Sequence, residues 1–106
     1  MNKRRRKAIH DIIKRLNEML ESKNDIDTSI FEDIVDETQT ILDDEENYFY
    51  NIPENLQSGS RYEESESAID KLEDAVSELE DIDDDCSQEY IKNCVSNAIK
   101  SLNDCV

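Results

Sequence analysis

Carboxylates are the residues of this chain most suggestive of chemistry: 28 Asp and Glu stand against 12 Lys and Arg, with one histidine and three cysteines. Two of their groupings have a spacing that metals use. Asp81, Asp83 and Asp85 match the first three ligand positions of a calcium-binding EF-hand loop. Such a loop needs glycine at its sixth position for the sharp turn and a bidentate Glu at its twelfth. This chain has Cys86 and Lys92 there, so no specific calcium site is expected. Asp33 with Asp36 and Glu37, and Glu78 with Asp81, are spaced as carboxylates that hold two magnesium ions between facing helices. In a helical chain this acidic such pairs arise by chance, and no accompanying Lys, Asn or Trp set for a nucleotide is evident.

Nucleophilic catalysis has even less to work with. His10 is the only histidine and lies among basic residues, where it reads as a solvated surface side chain rather than a base. Cys86, Cys94 and Cys105 form no C-x-x-C pair, and their odd number suggests free thiols in a reducing cytosol. Cys94 falls on an apolar face and reads as a small hydrophobe. A di-iron carboxylate bundle needs two Glu-x-x-His motifs, which one histidine cannot supply. No catalytic residue, metal ligand or cofactor site is expected, and the chain does not read as an enzyme.

The elements that position these residues are helices. Gly and Pro occur once each, so the turns on which hairpins and sheets depend are missing. Ile9, Ile12, Ile13, Leu16, Met19 and Leu20 recur at helical spacing, and Ser22-Lys23-Asn24-Asp25 interrupts them. Asp27, Thr28 or Ser29 can cap a second helix carrying Ile30, Phe31, Ile34, Val35, Thr38, Ile41, Leu42, Tyr48, Phe49 and Ile52, which stops before Pro53. A short helical turn is expected at residues 53–56. Ser60-Arg61-Tyr62-Glu63 reads as a capping box for a third helix with Tyr62, Ile69, Leu72, Val76 and Leu79 in a short heptad pattern. A fourth helix carries Ile91, Cys94, Val95, Ala98, Ile99 and Leu102. The expected fold is one all-α domain over residues 1–106, a small bundle of about four helices. Helices two and three should form an antiparallel hairpin around Pro53–Gly59.

Charge is segregated along this scaffold. Residues 1–20 form a basic segment with a net charge of +5, and residues 21–106 carry −21. Between Asp25 and Asp85 only Arg61 and Lys71 offset 23 acids. The basic segment reads either as a solvated terminal run or as a counter-charge to the acidic face of helix two or three, within the chain or across a dimer. Helix stability does not explain it, because cations at a helix N-terminus oppose the macrodipole. Direct nucleic-acid binding is not expected, since the rest of the chain repels phosphate. No apolar run is long enough to span a membrane, and no apolar segment with a cleavage site follows the basic start, so a cytoplasmic protein is expected.

The order of five segments, Arg4-Arg5-Arg6-Lys7, Asp44-Glu45-Glu46-Asn47-Tyr48, Asn51-Ile52-Pro53-Glu54-Asn55-Leu56-Gln57, Arg61-Tyr62-Glu63 and Ala68-Ile69-Asp70-Lys71-Leu72-Glu73, resembles small acidic helical proteins of bacterial phages and integrated mobile elements. The resemblance covers roughly residues 3–82 and brings no established activity. It implies a mobile-element setting in a bacterial host cell, where small proteins often inhibit host defence or regulate phage genes.

Three functions remain open. In the first, the acidic surface imitates nucleic acid and occupies the cationic groove of a host nucleic-acid-binding protein, as anti-CRISPR and anti-restriction inhibitors do. Carboxylates on successive helical turns lie about 5–6 Å apart, comparable to phosphates along a strand. The residues expected to carry this are Asp36, Glu37, Asp43, Asp44, Glu46, Glu63, Glu64, Asp70, Glu73 and Asp74, with Tyr48 or Tyr50 as an aromatic anchor beside them. Phe49 and Ile52 are expected in the core. In the second, the chain is a structural or scaffolding helical protein whose charge serves solubility. In the third, the paired carboxylates make an all-α magnesium-dependent nucleotide pyrophosphohydrolase. A homodimer is expected, because the domain is small and its seams are heptad-like.

Overall fold

The computed structural model describes residues 2–22 and 24–106. Four α-helices account for most of them: α1 (Lys3–Glu21), α2 (Phe31–Tyr50), α3 (Ser60–Glu80) and α4 (Gln88–Cys105). Single 3₁₀ turns stand at Thr28–Ile30 and Glu54–Leu56, and no strand occurs among the described residues. The expected all-α bundle is what the chain forms.

The helices run up, down, up and down. Arg5 meets Glu45 and Arg15 meets Glu37, so α1 and α2 are antiparallel. Glu45 meets Ser65 across the α2–α3 hairpin, and Cys105 reaches the Ala68 carbonyl across α3 and α4. The molecule is elongated, 51 × 22 × 18 Å.

One continuous core fills the bundle. Ile9, Ile12, Ile13 and Leu16 from α1 meet Phe31, Ile34, Ile41 and Leu42 from α2, Leu72 and Leu79 from α3, and Ile91, Val95 and Leu102 from α4. On α3 the buried face also holds Ser65, Ala68 and Ala75. These small side chains let α3 pack closely against both α2 and α4. The heptad seam of α3 is therefore used within the chain.

Caps depart from expectation at two places. Asp27 caps the 3₁₀ turn, accepting from the Ser29 N–H at 2.9 Å, and α2 then continues from that turn without a side-chain cap of its own. The capping box at Ser60–Glu63 does not form. Ser60 is already the first helical residue, and Gly59 is the N-cap with extended backbone, its carbonyl accepting from the Glu63 N–H at 3.3 Å. The helix start is displaced by one residue, which takes the Ser60 hydroxyl out of the capping position. Ser87 caps α4 as a serine should, accepting from the Tyr90 N–H.

The polar break after α1 is held down by side chains. Gln88 at the start of α4 accepts from the Ile26 N–H at 2.8 Å and donates to the Ile26 carbonyl at 3.3 Å. Thr28 donates to Asp84. Lys23, part of the break expected from sequence, lies outside the described residues.

Phe49 and Ile52 do not enter the core. Both are half-buried at the tip of the α2–α3 hairpin, where Phe49 stacks on Tyr62 with ring centroids 4.5 Å apart. The tip projects past its neighbours. Arg5 near the start of α1 is level with Glu45, and Cys105 at the end of α4 is level with Ala68. Beyond those points α2 and α3 pack mainly against each other, with Arg5 of α1 reaching over Tyr48.

Candidate interaction surfaces

Helical register places most of the expected acidic residues in solvent. On α2 the buried face is Phe31, Ile34, Thr38, Ile41, Leu42 and Glu45. The opposite face exposes Asp36, Glu37, Asp43 and Asp44, and Glu46 is half-buried at its edge. On α3 the exposed acids Glu63, Glu64, Glu66, Asp70, Glu73 and Asp74 follow at steps of one to four residues. Carboxylates three or four apart on such a face lie about 5–6 Å from each other.

Few of these charges are neutralised within the chain. Among the described residues the ion pairs are Arg5–Glu45, Arg15–Glu37 and Lys71–Asp104. The basic segment thus supplies a counter-charge to α2 through Arg5 and Arg15. The Arg15 Nη1 donates to Glu37 at 2.7 Å, and that bond raises the guanidinium pKa above its ordinary value. Both side chains are well exposed, so the pair contributes no more than about 1 kcal/mol.

Glu45 is different in kind. Its side chain is 0% exposed, accepting from Arg5 Nε at 2.8 Å and from the Ser65 hydroxyl at 2.8 Å. Three helices meet at one carboxylate. Its sequence signal is the register 31, 34, 38, 41, 45, which places an acid on the apolar seam. Its partners carry no comparable signal, because Arg5 is one of five consecutive cations and Ser65 is one of several serines on α3.

Of the expected site residues, Asp44, Tyr48 and Glu64 share hollows with arginines at the hairpin tip. Arg5 lies over the Tyr48 ring at 5.4 Å from its centroid. A groove of about 820 Å³ is lined by Ile52, Pro53 and Leu56 together with Tyr48, Arg5, Arg61 and Asp44. A second hollow, of about 430 Å³, shares Arg5, Tyr48 and Arg61 and adds Arg6 and Glu64. Tyr48 thus has a mixed rim on this side, Arg5, Arg6 and Arg61 standing with Asp44 and Glu64, where an acidic rim was expected. Tyr50 is 75% exposed and touches Phe49 edge-on.

The other candidate groups are accounted for locally. Asp83 accepts from the Asp85 N–H and from the Cys86 thiol, forming the turn after α3. Among the described residues no three His, Cys, Asp or Glu side chains are grouped to hold a metal ion. His10 is exposed on α1. All three cysteines are free thiols. Burial raises the Cys94 pKa, and burial together with the Asp104 carboxylate pushes Cys105 up to about 12. Neither is poised as a thiolate at neutral pH. No helix among the described residues is long and apolar enough to cross a membrane.

Comparison with known proteins gave no family model, no curated protein and no solved structure that matches the chain.

Proposed function

We propose that the chain is a binding protein whose exposed carboxylates on α2 and α3 occupy the cationic groove of a nucleic-acid-binding protein. The observation that carries this reading is the acidic stripe of α3. Glu63, Glu66, Asp70, Glu73 and Asp74 stand in solvent at helical spacing, and none makes an ion pair among the described residues. Solubility needs far less charge than −21 over residues 21–106, and self-repulsion at that density opposes folding. A cationic partner removes the repulsion and releases counterions from both surfaces, as nucleic acid does. The resemblance to phage and mobile-element proteins supports an inhibitor or regulator acting in a bacterial host cell.

The test is capture from bacterial lysate on the immobilised protein, with and without double-stranded DNA as competitor. Nucleic-acid-binding proteins should be retained at low salt and displaced by the DNA. Retained partners that DNA does not displace would leave a helical scaffold whose charge serves solubility.

A further inference from the structure

We infer that the hairpin tip is where two copies of this chain dock, about a two-fold axis that sets the α2 side of the groove in one copy against the α3 side in the other. This inference stands apart from the acidic-stripe reading and does not depend on it.

The tip leaves apolar surface uncovered. Leu56 is 55% exposed, and with Tyr48 and Tyr50 it makes up half of the large exposed hydrophobics among the described residues. Leu56 and Tyr48 line the groove together with Ile52 and Pro53. Apolar surface that solvent reaches, interleaved with charge, is the pattern of an interaction site.

Charge selects the occupant. Residues 3–7 and 43–66 meet at this end through Arg5, Glu45 and Ser65, and they hold six cations against eight acids, whereas the whole chain carries a net charge of −16. The end is thus close to neutral, and neither a polyanion nor a polycation is drawn to it. Its exposed charges are of both signs and unpaired. Arg6, Arg61, Asp44 and Glu64 line the two hollows, and none of the four makes an ion pair among the described residues. A groove with an acid from α2 and a cation from α3 is complementary to itself. Under two-fold symmetry each contact is made twice, so Arg61 of each copy meets Asp44 of the other, a carboxylate that its planar fork suits. Leu56 of each copy then covers Ile52 and Pro53 of the other. The long faces offer no such contact. From Glu66 to Asp85 ten acids stand against Lys71 alone, and two such faces repel one another. The patch is small, so the dimer is a weak one in exchange with monomer.

The test is sedimentation equilibrium of the full chain at micromolar to sub-millimolar concentration in physiological salt, which screens the repulsion between acidic chains over about 8 Å. A monomer–dimer equilibrium is expected, and the amides of the ¹⁵N-labelled protein that shift on dilution should be confined to Arg5, Arg6 and residues 44–64. Arg61→Glu and Asp44→Lys should each weaken the dimer about tenfold, because each sets like charges together twice. Mixed in equal amounts, the two variants should recover wild-type association as a heterodimer, since each then presents to the other the charge it lacks. Leu56→Ser should weaken the dimer about tenfold through lost apolar contact. All three positions are exposed, so the circular dichroism spectrum should not change. A wild type that stays monomeric throughout would overturn the inference and leave the tip to a foreign partner. A dimer indifferent to the charge reversals, a mixture that associates no better than its components, or dilution shifts along the acidic faces would overturn it as well.

Discussion

Arg5, Glu45 and Ser65 join three helices through a charge at a level where the bundle is otherwise sealed by aliphatic side chains. Removing one partner of a buried pair leaves the other uncompensated, at a cost of about 3–5 kcal/mol. Glu45→Leu should therefore lower stability by about that much in urea unfolding, since Arg5 is only 13% exposed. The double variant Arg5→Met/Glu45→Leu should recover most of the loss, because matched apolar replacements are often neutral. A single variant as stable as the wild type would mean that the pair is idle. Glu45 was legible in part, since its register gives away its burial. Its partners were not, because contacts between residues 40 and 20 positions apart depend on how the helices dock. Cys105 gives a pH dependence. Its folded pKa of about 12 exceeds the ordinary value of 9.0, so above pH 9 the unfolded chain loses this proton first. The stability from the protonated thiol is complete below about pH 9 and declines toward pH 12. Cys105→Ser should flatten the fall in melting temperature over that window, and an unchanged slope would assign the loss to other groups.

Each helix was legible from its apolar period, and the reasons lie in particular positions. Ile9, Ile12, Ile13 and Leu16, or Ile91, Cys94, Val95, Ala98 and Leu102, leave no alternative to one buried helical face. Boundaries were less legible where two capping choices compete. Gly59 and Ser60 can each stand at the start of α3, and the Gly59 carbonyl accepting from Glu63 decides for glycine. The hairpin tip misled for a different reason. Phe49 and Ile52 keep the apolar type of core residues, but the helices that would cover them stop short, a fact of relative helix position that no local pattern contains. The linker between α1 and α2 shows the same limit, because its anchor is Gln88, far along the chain. Gln88→Ala strips the buried Ile26 of its N–H and C=O partner. It should cost about 1–3 kcal/mol in urea unfolding and speed hydrogen exchange at Ile26. A loss confined to fraying of α4 would show that the clamp does not hold the linker.

Viewed as a whole, the molecule is a slender acidic rod whose cations are densest in the first turns of α1. The sequence alone exposed that charge division. It did not expose the placement of Asp44, Tyr48 and Glu64 beside Arg5, Arg6 and Arg61, because that depends on how α1 docks against the α2–α3 hairpin. Like charges at this density repel across the surface, and salt screens them over about 8–10 Å at physiological strength. The melting temperature should therefore rise between about 50 and 500 mM sodium chloride, and a flat response would show that the repulsion is already balanced within the fold. The same charges make the mimicry reading measurable. The most direct test is the salt slope of affinity for a captured nucleic-acid-binding partner, compared between the wild type and a variant with Asp70, Glu73 and Asp74 changed to Asn and Gln. Glu45 stays untouched because its loss would destabilise the bundle. For the wild type the logarithm of affinity should fall linearly with the logarithm of salt concentration, and the variant should bind more weakly with a shallower slope. Equal affinities and equal slopes for the two proteins would contradict the account and leave the acidic stripe with no part in binding.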